Sequence, residues 1–485
     1  MDATLPAATP RPAPVPPLVD APSRPAEAQP SAGPGMPTAS PAAALTAPPA
    51  TAPVTAPIAS PVTVPVASPV TAPAAPPVIA PVATPSSPPG TVPTNSAATA
   101  PTASPPQPAQ RHLRAVITEL RLSAFGPHRA AVFPVGPVTL FAGPSGSGKS
   151  QLLAAYEALA ALGSGAELEE AFPDARARIP DRAVPDAERR RGFRLGCTVD
   201  GPAGPVRLDL AVQAEPALRI VGERLSQDGQ ILLATALRDP GRRSVQAAWL
   251  TGGSVGVTRA PLPDDRLGTA LLPLRVAGST AGQRQVLAAA EQVVVALRSV
   301  FPCDPGPDRM RAPVPPGEGR LLRDCANLAD VLRRTRHECG TRHALLTEAA
   351  RTACPGTVAG LDVRAPAGGT PVTAVLDRGP GRPATELARL GSGELRFLAL
   401  ALVLLTGPGV LAMDPAAELP SARQVLTVLA DDFDRGLDRR QSAELLRLAL
   451  LSCGRGHVRL AAAVGEATAD AARRLPGVEV VDLSA

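Results

Sequence analysis

Aromatic residues make up only 2% of this 485-residue chain, with one Trp, one Tyr and eight Phe, and none precedes Phe125. Of the 60 prolines, 31 fall within the first 110 residues, alongside only five charged residues. Such a stretch cannot bury enough apolar surface to offset its chain entropy, so residues 1–112 read as a disordered Pro/Ala-rich tail with polyproline II character. Cysteine is sparse as well. Cys197, Cys303, Cys325, Cys339, Cys354 and Cys453 are scattered without a C-x-x-C pair, which argues against a zinc site or a dense disulfide framework. No run of eighteen apolar residues occurs, and no basic start precedes an apolar core, so neither a membrane span nor a secretory signal is expected. The chain reads as soluble and cytoplasmic. A net charge of +5 is too small to point to nucleic acid by itself. Lysine is nearly missing: of 48 Lys and Arg residues, one, Lys149, is lysine.

Residues 113–485 suffice for one sizeable α/β domain. Strands are expected at 115–125 and 131–142, the second running into a glycine-rich turn, and the apolar spacing of QLLAAYEALAAL after Ser150 predicts a helix. A hairpin follows at 193–200 and 206–213. An inserted, partly helical lobe is expected over about 215–355, with helices at 282–299 and 318–352. The pattern then predicts strands at 361–364 and 371–376, a helix at 393–405 and a strand at 410–413. A helix over 421–451 and strands at 458–464 and 478–483 complete it. This alternation predicts a largely parallel sheet flanked by helices, with an antiparallel β part.

The turn is Gly143, Pro144, Ser145, Gly146, Ser147, Gly148, Lys149 and Ser150, which fits G-x-x-x-x-G-K-[ST] in full. Between a buried strand and a helix, such a loop converges backbone amides on a phosphate chain at the positive end of the helix dipole. Lys149 reaches the β- and γ-phosphates, and the Ser150 hydroxyl ligates Mg²⁺. The lone lysine fits this role, because an ammonium is a compact point charge where a planar guanidinium is too wide. A second element is Leu390 to Phe397, LGSGELRF, with Glu394 near a helix start, followed by VLAM and Asp414. An Asp at the end of an apolar strand suits a magnesium site.

Together these features resemble the ABC-type ATPase heads of the RecF/SMC/OLD group, often labelled AAA family ATPases in bacteria. The matching segments run from ITELRLSAFGPHRAAVFPVGPVTLFAGPSGSGKS through CANLADVLRRTR to LARLGSGELRFLALALVLL and VLAMD. The resemblance implies a P-loop NTPase fold that binds ATP with Mg²⁺. It implies that Ser392 and Gly393 touch the γ-phosphate held by a second subunit, so that ATP joins a homodimer, and that Asp414 helps hold magnesium.

Three departures from that family pattern bear on rate. Asp414 is followed by Pro415 where the family has a catalytic Glu, leaving Glu418 as the nearest candidate. The expected switch histidine is replaced by Gly465 and Glu466, His457 sits before that strand, and no clear γ-phosphate-sensing Gln is present beyond Gln213. The expectation is an ATP-dependent dimerising switch with slow or degenerate hydrolysis. A small-molecule or nucleoside kinase, or a pseudo-ATPase scaffold, are the alternatives. No sustained heptads occur, which excludes a long coiled coil. The arginine-rich stretches 174–194 and 333–342 carry interleaved acids and no stacking rings. They read mainly as solvated faces, with nucleic acid or a protein partner as the other possibility.

Overall fold

A computed structural model describes residues 114–253, 255–364, 371–413 and 424–483. The Pro/Ala-rich tail lies outside them, as do Asp414 and Glu418. Three sheets organise the described residues. The largest is antiparallel and eight-stranded. Along the chain it comprises β1 (Val116–Phe125), β2 (His128–Pro134), β4 (Arg191–Asp200), β5 (Val206–Glu215), β6 (Arg219–Gln227), β7 (Gln230–Ala236), β8 (Ser244–Leu250) and β9 (Val257–Pro263), and β2 lies outside β1 at one edge. The second sheet is parallel throughout, in the order β10 (Val300–Pro302), β14 (Leu426–Ala430), β15 (Val458–Ala463), β3 (Val138–Ala142) and β16 (Glu479–Asp482). A small antiparallel sheet joins β11 (Gly360–Arg364), β12 (Thr373–Asp377) and β13 (Thr385–Glu386).

The helices are α1 (Lys149–Gly163), α4 (Ala281–Arg298), α6 (Leu328–Glu338), α7 (Gly340–Ala353), α8 (Ser392–Leu404), α9 (Arg439–Gly454) and α10 (Glu466–Ala472). Single turns α2 (Leu168–Ala171), α3 (Gly268–Leu271) and α5 (Pro307–Met310) complete the set. Strand alternation distributes the parallel sheet between two apolar cores. Phe141, Leu429 and Ala461 point into the core that also holds Tyr156 of α1, Val293 of α4 and Leu208 of the antiparallel sheet. Leu140, Val428 and Leu460 point the other way, to Leu400 of α8 and Leu445 of α9. Burial on both faces explains why these strands are continuous apolar runs.

Several expectations are corrected here. The parallel sheet holds five strands, so the chain is not largely parallel; the antiparallel sheet is the larger. The strand expected at 131–142 is two strands, β2 and β3, in different sheets. The segment 215–355 supplies four strands to the antiparallel sheet and β10 to the parallel one, besides α4, α6 and α7. Residues 411–413 form no core strand, only a bridge from Leu411 to Leu321. The helix expected over 421–451 splits into β14, buried along its whole length, and α9.

Candidate functional site

β3 is wholly buried and delivers the chain to the glycine turn at its carboxyl end. Gly143, Gly146 and Gly148 have φ of 143°, 85° and 98°, backbone that a side chain would strain. A Cβ at Gly148 would also lie 2.5 Å from the His128 ring. The helix that follows runs 15 residues, with Gly148 as its N-cap, no side-chain cap and no acid in its first turn. Its first amides are therefore left for an external acceptor, at the positive end of the dipole. Ser147 Oγ is buried with no hydrogen-bond partner among the described residues. Lys149 Nζ folds back on the loop, donating to Gly143 O at 2.6 Å and Pro144 O at 3.2 Å. An ammonium resting on main-chain carbonyls is poised to exchange them for a better anion.

The turn opens into a cleft of about 1360 Å³. Gly126 and Pro127 from the β1–β2 turn, Arg129 of β2, and Ala177, Ile179, Pro180, Asp181 and Arg182 border one side. Gly126 N–H donates to Arg178 O at 2.7 Å, tying that second segment to the first. His128 Nε2 donates to Gly148 O at 3.1 Å, and burial lowers its pKa below the usual 6.5. Across from that side stand three more carboxylates, Asp432, Asp434 and Glu466, with Arg435, Val464 and Gly465.

Asp432 belongs to no motif that the sequence displays. It lies just beyond β14, which is separated from β3 by β15; since all three strands are parallel, their carboxyl ends share one edge. The Asp432 side chain is more than half exposed, and its ion-pair contact with Arg435 is a loose 3.7 Å. Asp431 Oδ1 accepts the Asp432 N–H at 3.0 Å, and the Asp434 carboxylate accepts the Gly465 N–H at 3.1 and 3.2 Å. The sequence signal that could have found it is the run LTVLA ahead of DDFD, apolar and partly β-branched, with paired acids directly after it.

Seven of the eight loop residues line the cleft, the exception being Ser147, whose Oγ is turned inward and buried. Ser392 and Gly393 do not line it. They start α8, where Gly391 rather than Ser392 is the N-cap, and Glu394 accepts the Gly391 N–H at 3.0 Å. Ser392 is exposed, and its Oγ accepts from Arg311 at 3.1 Å. Gln213 is buried inside β5, donating to Ala217 O at 3.1 Å, and is no exposed strand end. His457 precedes β15, at the opposite edge from the cleft.

These residues fit a triphosphate with its metal. The left-handed glycines and unclaimed amides suit phosphate oxygens, while the Ser150 hydroxyl and the Asp432 carboxylate are hard oxygen donors of the kind magnesium takes. No group of three or more His, Cys, Asp or Glu side chains that could hold a metal by itself occurs among the described residues, the cleft included, so a metal here would depend on the Ser150 hydroxyl and on phosphate oxygens as well as Asp432. No helix among them is long and apolar enough to cross a membrane.

No protein-family model matches the chain, and no curated protein is similar to it at a significant level. Among solved structures, a Smc head bound to the C-winged helix domain of ScpA aligns at 15% identity, covering 72% of this chain and 90% of that one, with a TM-score of 0.40. The SMC head domain from Thermotoga maritima aligns at 13% identity, covering 73% and 90%, with a TM-score of 0.34. A Smc head domain with an extended coiled coil, bound to the C-terminal domain of ScpA derived from Pyrococcus furiosus, aligns at 12% identity, covering 74% and 91%, with a TM-score of 0.40. Similarity at this level carries no conclusion about activity, so the functional reading rests on the cleft itself.

Proposed function

We propose that the protein is an ATP-binding switch that takes Mg²⁺-nucleotide in this cleft, pairs with a second copy on binding, and hydrolyses slowly. One observation carries the reading. A single cleft joins the uncapped start of α1, the lone lysine, and Asp432 at the carboxyl edge of the same parallel sheet. In this reading the amides of residues 143–150 hold the phosphates, and Lys149 moves from the Gly143 and Pro144 carbonyls onto phosphate oxygens. Ser150 and Asp432 hold the metal; Asp414 and Glu418, the sequence candidates, lie outside the described residues. Magnesium, when bound, neutralises triphosphate charge and favours in-line attack.

Slow turnover is argued from the described part of that edge. Gly465, two residues past the end of β15, has no side chain that could touch a γ-phosphate, and Glu466, the glutamate in the cleft, accepts from Arg473 at 2.9 Å. Pairing is argued from Ser392 and Gly393, which are outside their own chain's cleft while Ser392 stays exposed, so their use on a phosphate needs another copy.

Calorimetric titration with ATP, with and without Mg²⁺, followed by light scattering of the complex, tests the reading. Micromolar binding lost in Lys149→Ala, with doubling of mass on nucleotide, is the expected result. Binding indifferent to Lys149→Ala would sink it, and brisk phosphate release would refute the slow-switch part.

A further inference from the structure

Arg396 is a buried cation in an otherwise apolar stretch of α8, from Leu395 to Leu404. Its Nη1 donates to Pro305 O at 2.7 Å, its Nη2 donates to Asp432 O at 3.0 Å, and the Asp304 carboxylate is 3.6 Å away. Its Nε is buried without a partner among the described residues, so the guanidinium carries a desolvation cost that the two carbonyl contacts and Asp304 offset.

The carbonyl it holds belongs to a residue with left-handed backbone. Asp432 has φ of 47°, a conformation uncommon outside glycine, though Asp tolerates it better than most residues. Contacts inside and outside the turn hold it. Within the turn, Asp431 Oδ1 accepts the Asp432 N–H and the Asp432 carbonyl accepts the Arg435 N–H, both at 3.0 Å. From outside, Arg396 donates to that same carbonyl, Phe433 N–H donates to Ala463 O at 2.9 Å, Asp434 ties the turn to the Gly465 N–H, and the start of α8 abuts the turn's far side. There a Cβ on Gly393 would fall 2.2 Å from Gly436 O. The first turns of α8 thus touch the acidic turn at both ends.

We propose that Arg396 is a positioning residue: it fixes the left-handed backbone at Asp432 so that this carboxylate faces the phosphate loop, and it couples α8 to the metal side of the cleft. The proposal rests on the nucleotide reading above, and its test separates the two.

The measured quantity is the Mg²⁺ enhancement, the ratio of ATP dissociation constants without and with the metal, for wild type, Arg396→Gln, Arg396→Lys and Asp432→Asn. Metal-free affinity is expected to stay within about twofold of wild type, while the enhancement falls about tenfold in Arg396→Gln, the scale of one charge-assisted hydrogen bond. Arg396→Lys, which can keep one of the two donations, is expected to recover part of it. Arg396→Gln combined with Asp432→Asn should lose no more than the larger single loss, because both act through one carboxylate. In nucleotide-free protein, amides 431–437 should exchange about tenfold faster in Arg396→Gln while those of α8 do not change.

An undiminished enhancement in folded Arg396→Gln overturns the proposal, as does an equal loss of metal-free affinity, which would mark general structural damage. If Arg396→Gln does not fold, either of those two outcomes in Arg396→Lys overturns it instead. If wild type binds no ATP, the nucleotide reading fails, and unchanged exchange at 431–437 would then independently refute the backbone clamp.

Discussion

Replacing Lys149 by arginine keeps the charge and changes only its shape, in a chain that uses arginine at all 47 other basic Lys/Arg positions. The ammonium sits 2.6 Å from Gly143 O and 3.2 Å from Pro144 O, a notch made by carbonyls six and five residues back along the chain. A guanidinium cannot enter that notch without spreading the loop. The folded protein loses little: the bond to Pro144 is solvent-exposed, so the two donations together contribute about 1 kcal/mol. Bound nucleotide loses more, because a charge-assisted contact to phosphate is worth about 2–3 kcal/mol, which is about 30- to 150-fold in affinity. The expected pattern for Lys149→Arg is near-wild-type stability in urea and ATP affinity lower by at least about tenfold, close to that of Lys149→Ala. Calorimetry and urea titration of the three proteins measure both quantities. Full ATP affinity in Lys149→Arg would refute the argument that the site selects an ammonium for its size.

Gly393→Ala should cost about 1–3 kcal/mol, because its Cβ would press on the Gly436 carbonyl, a main-chain atom that cannot swing aside; urea denaturation reads this, and a neutral substitution would show that α8 does not abut the turn. Asp434→Ala should destabilise by about 1 kcal/mol through loss of the Gly465 N–H contact, with proton exchange at Gly465 accelerated. For His128, burial holds the folded pKa below 6.5, so as pH falls the unfolded chain takes the proton first. The stability tied to the neutral ring is complete above about pH 6.5 and declines as pH drops toward the folded value. His128→Gln should therefore lose less stability than wild type between about pH 7.5 and 5.5, and equal losses would contradict this assignment.

The glycine turn and its two flanking elements were legible because everything they need is local. A buried strand, three glycines, one lysine and a helix start are consecutive in the chain, and the structure has them as β3, the turn and α1. The helix at 392–404 and the strands β15 and β16 were legible for the same reason, as long periodic or apolar runs. β14 was not. Its apolar residues 425–430 run on toward the amphipathic spacing of α9, and a short apolar run joined to a helical one reads as a single helix. Once β14 is hidden, the acids after it fall on what reads as a helix surface, and Asp414 stands out instead.

By itself the sequence determined that a glycine-rich G-x-x-x-x-G-K-[ST] turn stands between an apolar strand and a helix, and which lysine it carries. Tertiary structure alone decided what stands across from that loop. β14 begins 277 residues after Lys149, and the pairing of β14 with β15 and of β15 with β3 brings Asp432 into the loop's cleft. Hydrogen bonding between parallel strands depends on backbone amides common to every residue, so strand order leaves little trace in side-chain identity. The same holds for Arg396, whose hydrogen bonds go to two main-chain carbonyls 91 and 36 residues away.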